Sequence, residues 1–213
     1  MGKAQTKSNY DRLSRWYDLI AGSSEKKCRN AGLQKLAPRA GERILEIGPG
    51  TGHGLVALAR ATNPRGHVYG VDISSGMLTV AGSRIRQAGL ADRVALIHGD
   101  AASLPFKAGA FDAVFVSFAL ELLGTPEIPK VLGECRRVLR SSGRLVVVSL
   151  LATPKRSLAS RLYDWAHRQF PSLIDCRPIP VANMLSQARF DILDATAMSM
   201  WGLPVTIVLA TRP

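Results

Sequence analysis

The sequence predicts an α/β protein: a doubly wound, seven-stranded sheet, mostly parallel with an antiparallel hairpin at its C-terminal end, and helices on both faces. Three observations carry this expectation. Short apolar runs alternate with segments of three- and four-residue apolar spacing along residues 43–150. The first run ends in a glycine-rich turn that opens a helix. The last two runs, Phe190–Met200 and Leu203–Thr211, face each other across Trp201-Gly202, as the arms of a hairpin do.

Taken in order, residues 8–36 read as helical, with Tyr10, Leu13, Tyr17 and Ile20 in one stripe and a second helix running from Gly22 to Leu36. Arg43–Ile47 is the first strand, Gly48-Pro-Gly-Thr-Gly-His-Gly54 the turn, and Leu55–Ala61 an amphipathic helix ended by Asn63-Pro64-Arg-Gly66. His67–Val71 is the second strand, with Asp72 at its tip; Ser74 or Ser75 caps a helix over Gly76–Ala88. Arg93–His98 is the third strand and leads into Gly99-Asp100-Ala101. The fourth, Ala113–Ser117, is wholly apolar up to its last residue, as strands buried on both faces are. A helix over Pro126–Leu139 precedes strand five, Arg144–Leu150; its Arg136, with Arg137 and Arg140, suits a helix C-terminus and is assigned no chemistry. Beyond Leu151 the pattern changes to an inserted helix over Ser157–Phe170, then Cys176-Arg-Pro-Ile179 and a helix through Arg189.

The chemistry starts at the glycine turn. Glycines at 48, 50, 52 and 54 let the backbone approach a ligand, and the helix that follows aims free N–H groups at it. The dinucleotide fingerprint Gly-x-Gly-x-x-Gly fails: counted from Gly48 its last place falls on His53, and counted from Gly50 on Leu55. What stands instead is an acid, Glu46, two residues before the first glycine. A carboxylate there would repel a pyrophosphate but accept hydrogen bonds from the ammonium of a bound amino acid. Asp72, about 20 residues past the loop, is placed to accept ribose hydroxyls. Ligands of such sheets bind beyond the carboxyl ends of the strands, which puts Ser117, Phe118 and Glu121 at the edge of the site. Glu121 is either a group that orients or deprotonates a substrate or an exposed glutamate at a helix start; His53 reads as a helix-start residue or a substrate-side base. None of the four histidines stands at metal-ligand spacing, so no metal is expected.

On these residues the chain resembles the class I S-adenosylmethionine-dependent methyltransferases. Glu46-Ile-Gly-Pro-Gly-Thr-Gly52 looks like their cofactor loop, and Leu104-Pro-Phe106, Phe111-Asp112 and Arg136-Arg-Val-Leu-Arg-Ser-Ser-Gly143 are similar to their later motifs. The resemblance implies a Rossmann-like fold over residues 41–150 and S-adenosylmethionine as cofactor, leaving as S-adenosylhomocysteine. It implies Glu46, Gly48, Gly50 and Gly52 at the amino-acid end, Asp72 at the ribose, Ile73 and Met77 flanking adenosine, Asp100 and Ala101 at the adenine, and Ser117 beside the methyl group. It also implies an N-terminal lid over residues 1–40, in which Tyr17 acts catalytically and Tyr10 touches substrate. The stretch 151–189 becomes a substrate cap whose Arg177 meets an anionic head group, and 190–213 the closing hairpin, all in a single domain. Within the family the chain is most similar to ubiquinone/menaquinone-biosynthesis and phospholipid N-methyltransferases, although it lacks the Met-Asn-Asp and His-Arg-x-Trp-Lys segments of the quinone enzymes.

Length and composition fit that reading. A chain of 213 residues makes one domain; three separated cysteines suggest reduced thiols in the cytoplasm; no apolar run reaches membrane-span length, and the polar start is no signal peptide. The net charge of +12 is concentrated toward the ends: residues 1–43 carry ten Lys/Arg against four Asp/Glu. Such a surface suits ordinary solubility, or peripheral contact with an anionic membrane, or nucleic acid. Base-amino methyltransferases place Asn/Asp-Pro-Pro-Tyr/Phe after strand four, where this chain has Ser117-Phe-Ala-Leu, so nucleic acid is disfavoured. The expected activity is methyl transfer to a lipophilic or amphipathic acceptor, quinone-like or an aminophospholipid, by in-line displacement. RNA methylation and cofactor binding without turnover are the alternatives.

Overall fold

In a computed structural model of the chain, residues 17–152 and 177–213 are described, with the backbone alone for 17–24. The element order is α1 (Tyr17–Leu36), β1 (Arg43–Ile47), α2 (His53–Ala61), β2 (His67–Asp72), α3 (Ser75–Gln87), β3 (Val94–His98) and β4 (Phe111–Ser117), then a 3-10 turn (Leu120–Leu122), α4 (Ile128–Val138), β5 (Leu139–Leu150), α5 (Val181–Gln187), β6 (Asp191–Met200) and β7 (Leu203–Thr211). The strands form one sheet in the order β3-β2-β1-β4-β5-β7-β6. The first five are parallel, and β7 runs antiparallel to both β5 and β6. This is the expected doubly wound sheet, and its strand order reverses between β1 and β4.

Alternation along the strands divides the core into two layers. Leu45, Ile47, Val114, Val116, Leu145 and Val147 pack under α4 and α5. Ile44, Ala113, Phe115, Val146 and Val148 pack on the opposite face, together with Cys28 and Leu36 of α1 and Leu55 and Leu58 of α2. Cys28, Gly32 and Leu36 recur every fourth residue and form the stripe by which α1 lies on β4, β5 and β7. Contact is closest at Gly32, where a Cβ would come within 2.4 Å of Val148 Cγ2. The break expected at Gly22 is absent, and one helix runs through it from Tyr17 to Leu36; a single glycine costs about 1 kcal/mol in a helix, less than packing on the sheet returns.

The three arginines at and just after the end of α4 do more than answer the helix dipole. Arg137 donates to the carbonyls of Leu104 and Phe106 and pairs with Glu134, whose carboxylate also accepts from Leu104 N–H. Arg140 pairs with Asp112, and Arg136 donates to the Arg189 carbonyl. At the amino-terminal edge of the sheet Arg144 holds both oxygens of Glu42 at 2.9 and 2.7 Å and caps Leu36 O, tying α1, β1 and β5. At the opposite end, the β6–β7 turn places Trp201 (φ 51°) and Gly202 (φ 77°) in the left-handed region, with Trp201 exposed.

Candidate functional site

Glu46 lies on the same face of β1 as Ile44, toward α1 and α2, and is 2% exposed. Its Oε2 is buried without a hydrogen-bond partner among the described residues. Burial pushes this acid up to about 8, against the opposing pull of Arg29 from α1 and with a further push from Asp72.

The four alternate glycines divide their work. At Gly48 an added Cβ would meet Ala119 Cβ at 2.6 Å, at Gly52 Ala81 at 2.9 Å, and at Gly54 Glu46 Oε1 at 2.1 Å. These three are glycines because the protein packs against them. Gly50 (φ 52°) alone has nothing within 4 Å of its missing Cβ, so it is the one that faces open space.

Asp72 ends β2 beside this loop. One carboxylate oxygen accepts from Gly50 N–H at 3.3 Å and the other from Ser74 N–H at 2.9 Å. Ser74 caps α3 by accepting from Met77 N–H, which buries Met77. His98 Nε2 lies 2.9 Å from Ile73 O and so ties the tip of β3 to the segment after Asp72. Asp100 folds its own turn, accepting from Ala102 N–H at 2.9 Å, with Ala101 half-buried within it.

β4 and the turn after it supply the other wall. Ser117 Oγ is buried with no partner among the described residues. Phe118 follows in the left-handed region (φ 53°), buried, with its N–H on Val148 O. Glu121 sits in the 3-10 turn and is 1% exposed, which corrects the reading of an exposed helix-start residue. Its Oε1 accepts from Leu150 N–H at 3.1 Å, and Oε2 has no partner among the described residues. Burial raises this carboxyl to about 7.

Four buried side-chain atoms lack partners among the described residues, and three of them, on Glu46, Ser117 and Glu121, stand at the carboxyl ends of β1 and β4. These are the two strands between which the order reverses. Buried polar atoms are normally satisfied, so this concentration, beside an open Gly50, fits a polar ligand with donors to offer. The residues present therefore suit S-adenosylmethionine: Glu46 for its ammonium, Asp72 for its ribose, and Ile73 with Met77 for its adenosine.

His53 is exposed and opens α2. Arg177 donates to Leu123 O and Thr125 Oγ1, both at 2.7 Å, and so latches the chain returning from the insertion to the loop beyond Glu121. Tyr10, Cys176 and the helix expected over Ser157–Phe170 lie outside the described residues, as does the side chain of Tyr17. Sequence reasoning missed Arg29 and Glu25, which α1 brings to bear on Glu46 and Glu121; no local motif marks which face of a helix will meet the site.

A family described as a methyltransferase domain matches residues 44–143. The demethylmenaquinone methyltransferase of Clavibacter sepedonicus is 39% identical over 175 residues, covering 80% of this chain and 68% of that protein. The demethylmenaquinone methyltransferase of Geobacillus kaustophilus is 35% identical over 139 residues, covering 65% of this chain and 57% of that protein, so the chain spans little more than half of this second relative. Among solved structures, the [4+2]-cyclase SpnF superposes with a TM-score of 0.79 at 18% identity over 100% of this chain and 97% of that one, a likeness of fold.

Proposed function

The chain belongs to the class I S-adenosylmethionine-dependent methyltransferases, and from that premise we propose that it methylates a lipophilic, quinone-like acceptor in its reduced dihydroxy form. The observation that carries the cofactor half is the set of unpartnered buried atoms on Glu46 and Ser117 beside the open Gly50. When bound, S-adenosylmethionine supplies a methyl group already activated by its sulfonium, so the protein's task is to hold, align and exclude water. Glu46 binds the ammonium, Asp72 the ribose hydroxyls, Asp100 and the Ala101 N–H the adenine, and Ile73 and Met77 its faces.

The acceptor half rests on the two relatives, both demethylmenaquinone methyltransferases by name, and on the apolar Phe118 that follows the carboxyl end of β4. A sulfonium methyl is an electrophile and a quinone ring is another; only the reduced ring has the electron density to attack. Arg177, through Leu123 and Thr125, steadies the acceptor side. The basic surface suits peripheral contact with the anionic membrane in which such an acceptor dissolves.

The test is methyl-labelled S-adenosylmethionine with a dithionite-reduced lipid extract, and total RNA in a parallel tube. Label is expected in the organic phase on a dihydroxy ring. Label on an aminophospholipid would replace the quinone reading, and label in RNA alone would sink it. Asp72→Ala should weaken cofactor binding by about ten- to a hundredfold, the worth of hydrogen bonds to a charged group, as measured by calorimetry.

A further inference from the structure

We propose that Glu121 is the base of this site, accepting the hydroxyl proton of the acceptor as its ring is methylated; this rests on the acceptor reading above. Four observations bear on it. Glu121 is 1% exposed yet keeps Oε2 without a partner among the described residues. Its other oxygen is pinned by Leu150 N–H, so the free one is held in a fixed place. The 3-10 turn sets it just beyond the carboxyl end of β4, one of the two strands between which the strand order reverses. Phe118 reaches that turn only through a left-handed backbone, a conformation that costs a non-glycine residue about 1–3 kcal/mol and is concentrated at functional sites.

The electrostatics suit the role. Burial is what lifts the carboxyl to about 7; Glu25 of α1 raises it further, while the N–H groups of Glu121 itself and Leu150 and the Ser149 hydroxyl on β5 pull it back. A base poised near neutrality is effective for a phenolic hydroxyl. The carboxylate takes the O–H proton, the freed electron pair moves into the ring, and the ring carbon bonds the methyl carbon as the C–S bond breaks with its electrons left on sulfur. The hydrogen on that ring carbon then leaves as a proton to water and the ring regains its aromaticity. No oxidant or reductant enters the step, because the acceptor arrives reduced.

The decisive variant is Glu121→Gln, which retains an oxygen for Leu150 N–H and has the same shape. With a short-chain prenylated naphthohydroquinone as acceptor, kcat should fall by about 10²–10³-fold, the acidic limb of the pH–rate profile should vanish, and cofactor affinity should stay within about twofold of the unmodified protein. Glu25→Gln, which removes a like charge, should move that limb to lower pH without abolishing turnover. A second readout needs no turnover: the infrared carbonyl band of a protonated carboxyl titrating near pH 7 should be absent in Glu121→Gln and, in the unmodified protein, shift when the hydroquinone is added. A Glu121→Gln protein with turnover and pH profile unchanged would make Glu121 a structural carboxyl and overturn the proposal. An unmodified protein that methylates another acceptor but leaves the hydroquinone untouched, with no change in the band, overturns the acceptor reading and the base role together; a band that shifts without turnover supports Glu121 and overturns only the choice of hydroquinone.

Discussion

A methyl group on Gly54 would stand 2.1 Å from Glu46 Oε1 and 2.7 Å from Glu46 Oε2, with no backbone strain to confuse the outcome, since Gly54 has an ordinary helical conformation. Gly54→Ala should therefore leave the fold intact, as alanine favours helix, while turning the Glu46 carboxylate aside. Cofactor affinity should drop more than tenfold, measured by calorimetry, with far-ultraviolet circular dichroism unchanged. Affinity within twofold of the parent would mean that Glu46 does not meet the ammonium. Gly50→Ala tests the neighbouring residue differently: nothing in the protein opposes the methyl group there, so any loss beyond the cost of its left-handed φ reports contact with the ligand itself.

The loop Leu104–Phe106 shows how an element far from the ligand is held in register. Arg137 reaches it with two carbonyl contacts and Glu134 with one amide contact, so Arg137→Ala leaves two acceptors and a carboxylate to find water. The expected loss is about 1–2 kcal/mol of stability, with faster amide exchange over residues 103–107 and no change in exchange of β1. The strands, the glycine turn and the hairpin were legible in the sequence because period, glycine and the Trp-Gly pair are local signals. The continuity of α1 was not: Gly22 is a weak breaker, and the packing that overrides it at Cys28, Gly32 and Leu36 is set by β5, more than 100 residues away in sequence. For the same reason Asp72 could be read from its spacing, whereas the burial of Glu121 depends on its turn packing against β5, 29 residues further on, which no spacing announces.

Among the described residues two carboxyls, Glu46 and Glu121, are kept out of water with their protonation disturbed by burial, and this bears on the response of the whole protein to pH. Both are raised from 4.5, to about 8 and about 7. Below the unfolded value both states hold these protons and the contribution is fully present. As pH rises toward the folded values the unfolded chain releases protons that the native state retains, so stability is lost through the window from about pH 4.5 to 8. Glu134, held below the usual range by Arg137, acts in the opposite sense at acid pH. Between pH 5 and 8 the melting temperature of the ligand-free protein should fall on the order of 10 °C, and Glu121→Gln should flatten that slope; a flat profile in the unmodified protein would mean that neither acid is dry. A different property of the whole follows from the bridge between Leu151 and Ile179, where the chain leaves the sheet and returns to it at one point. The two ends of that segment are therefore fixed side by side, and the entropy of closing a loop between fixed ends depends only weakly on its length. Lengthening or shortening that segment should therefore cost the scaffold little stability, and no strand beside the bridge need be rethreaded to accommodate it.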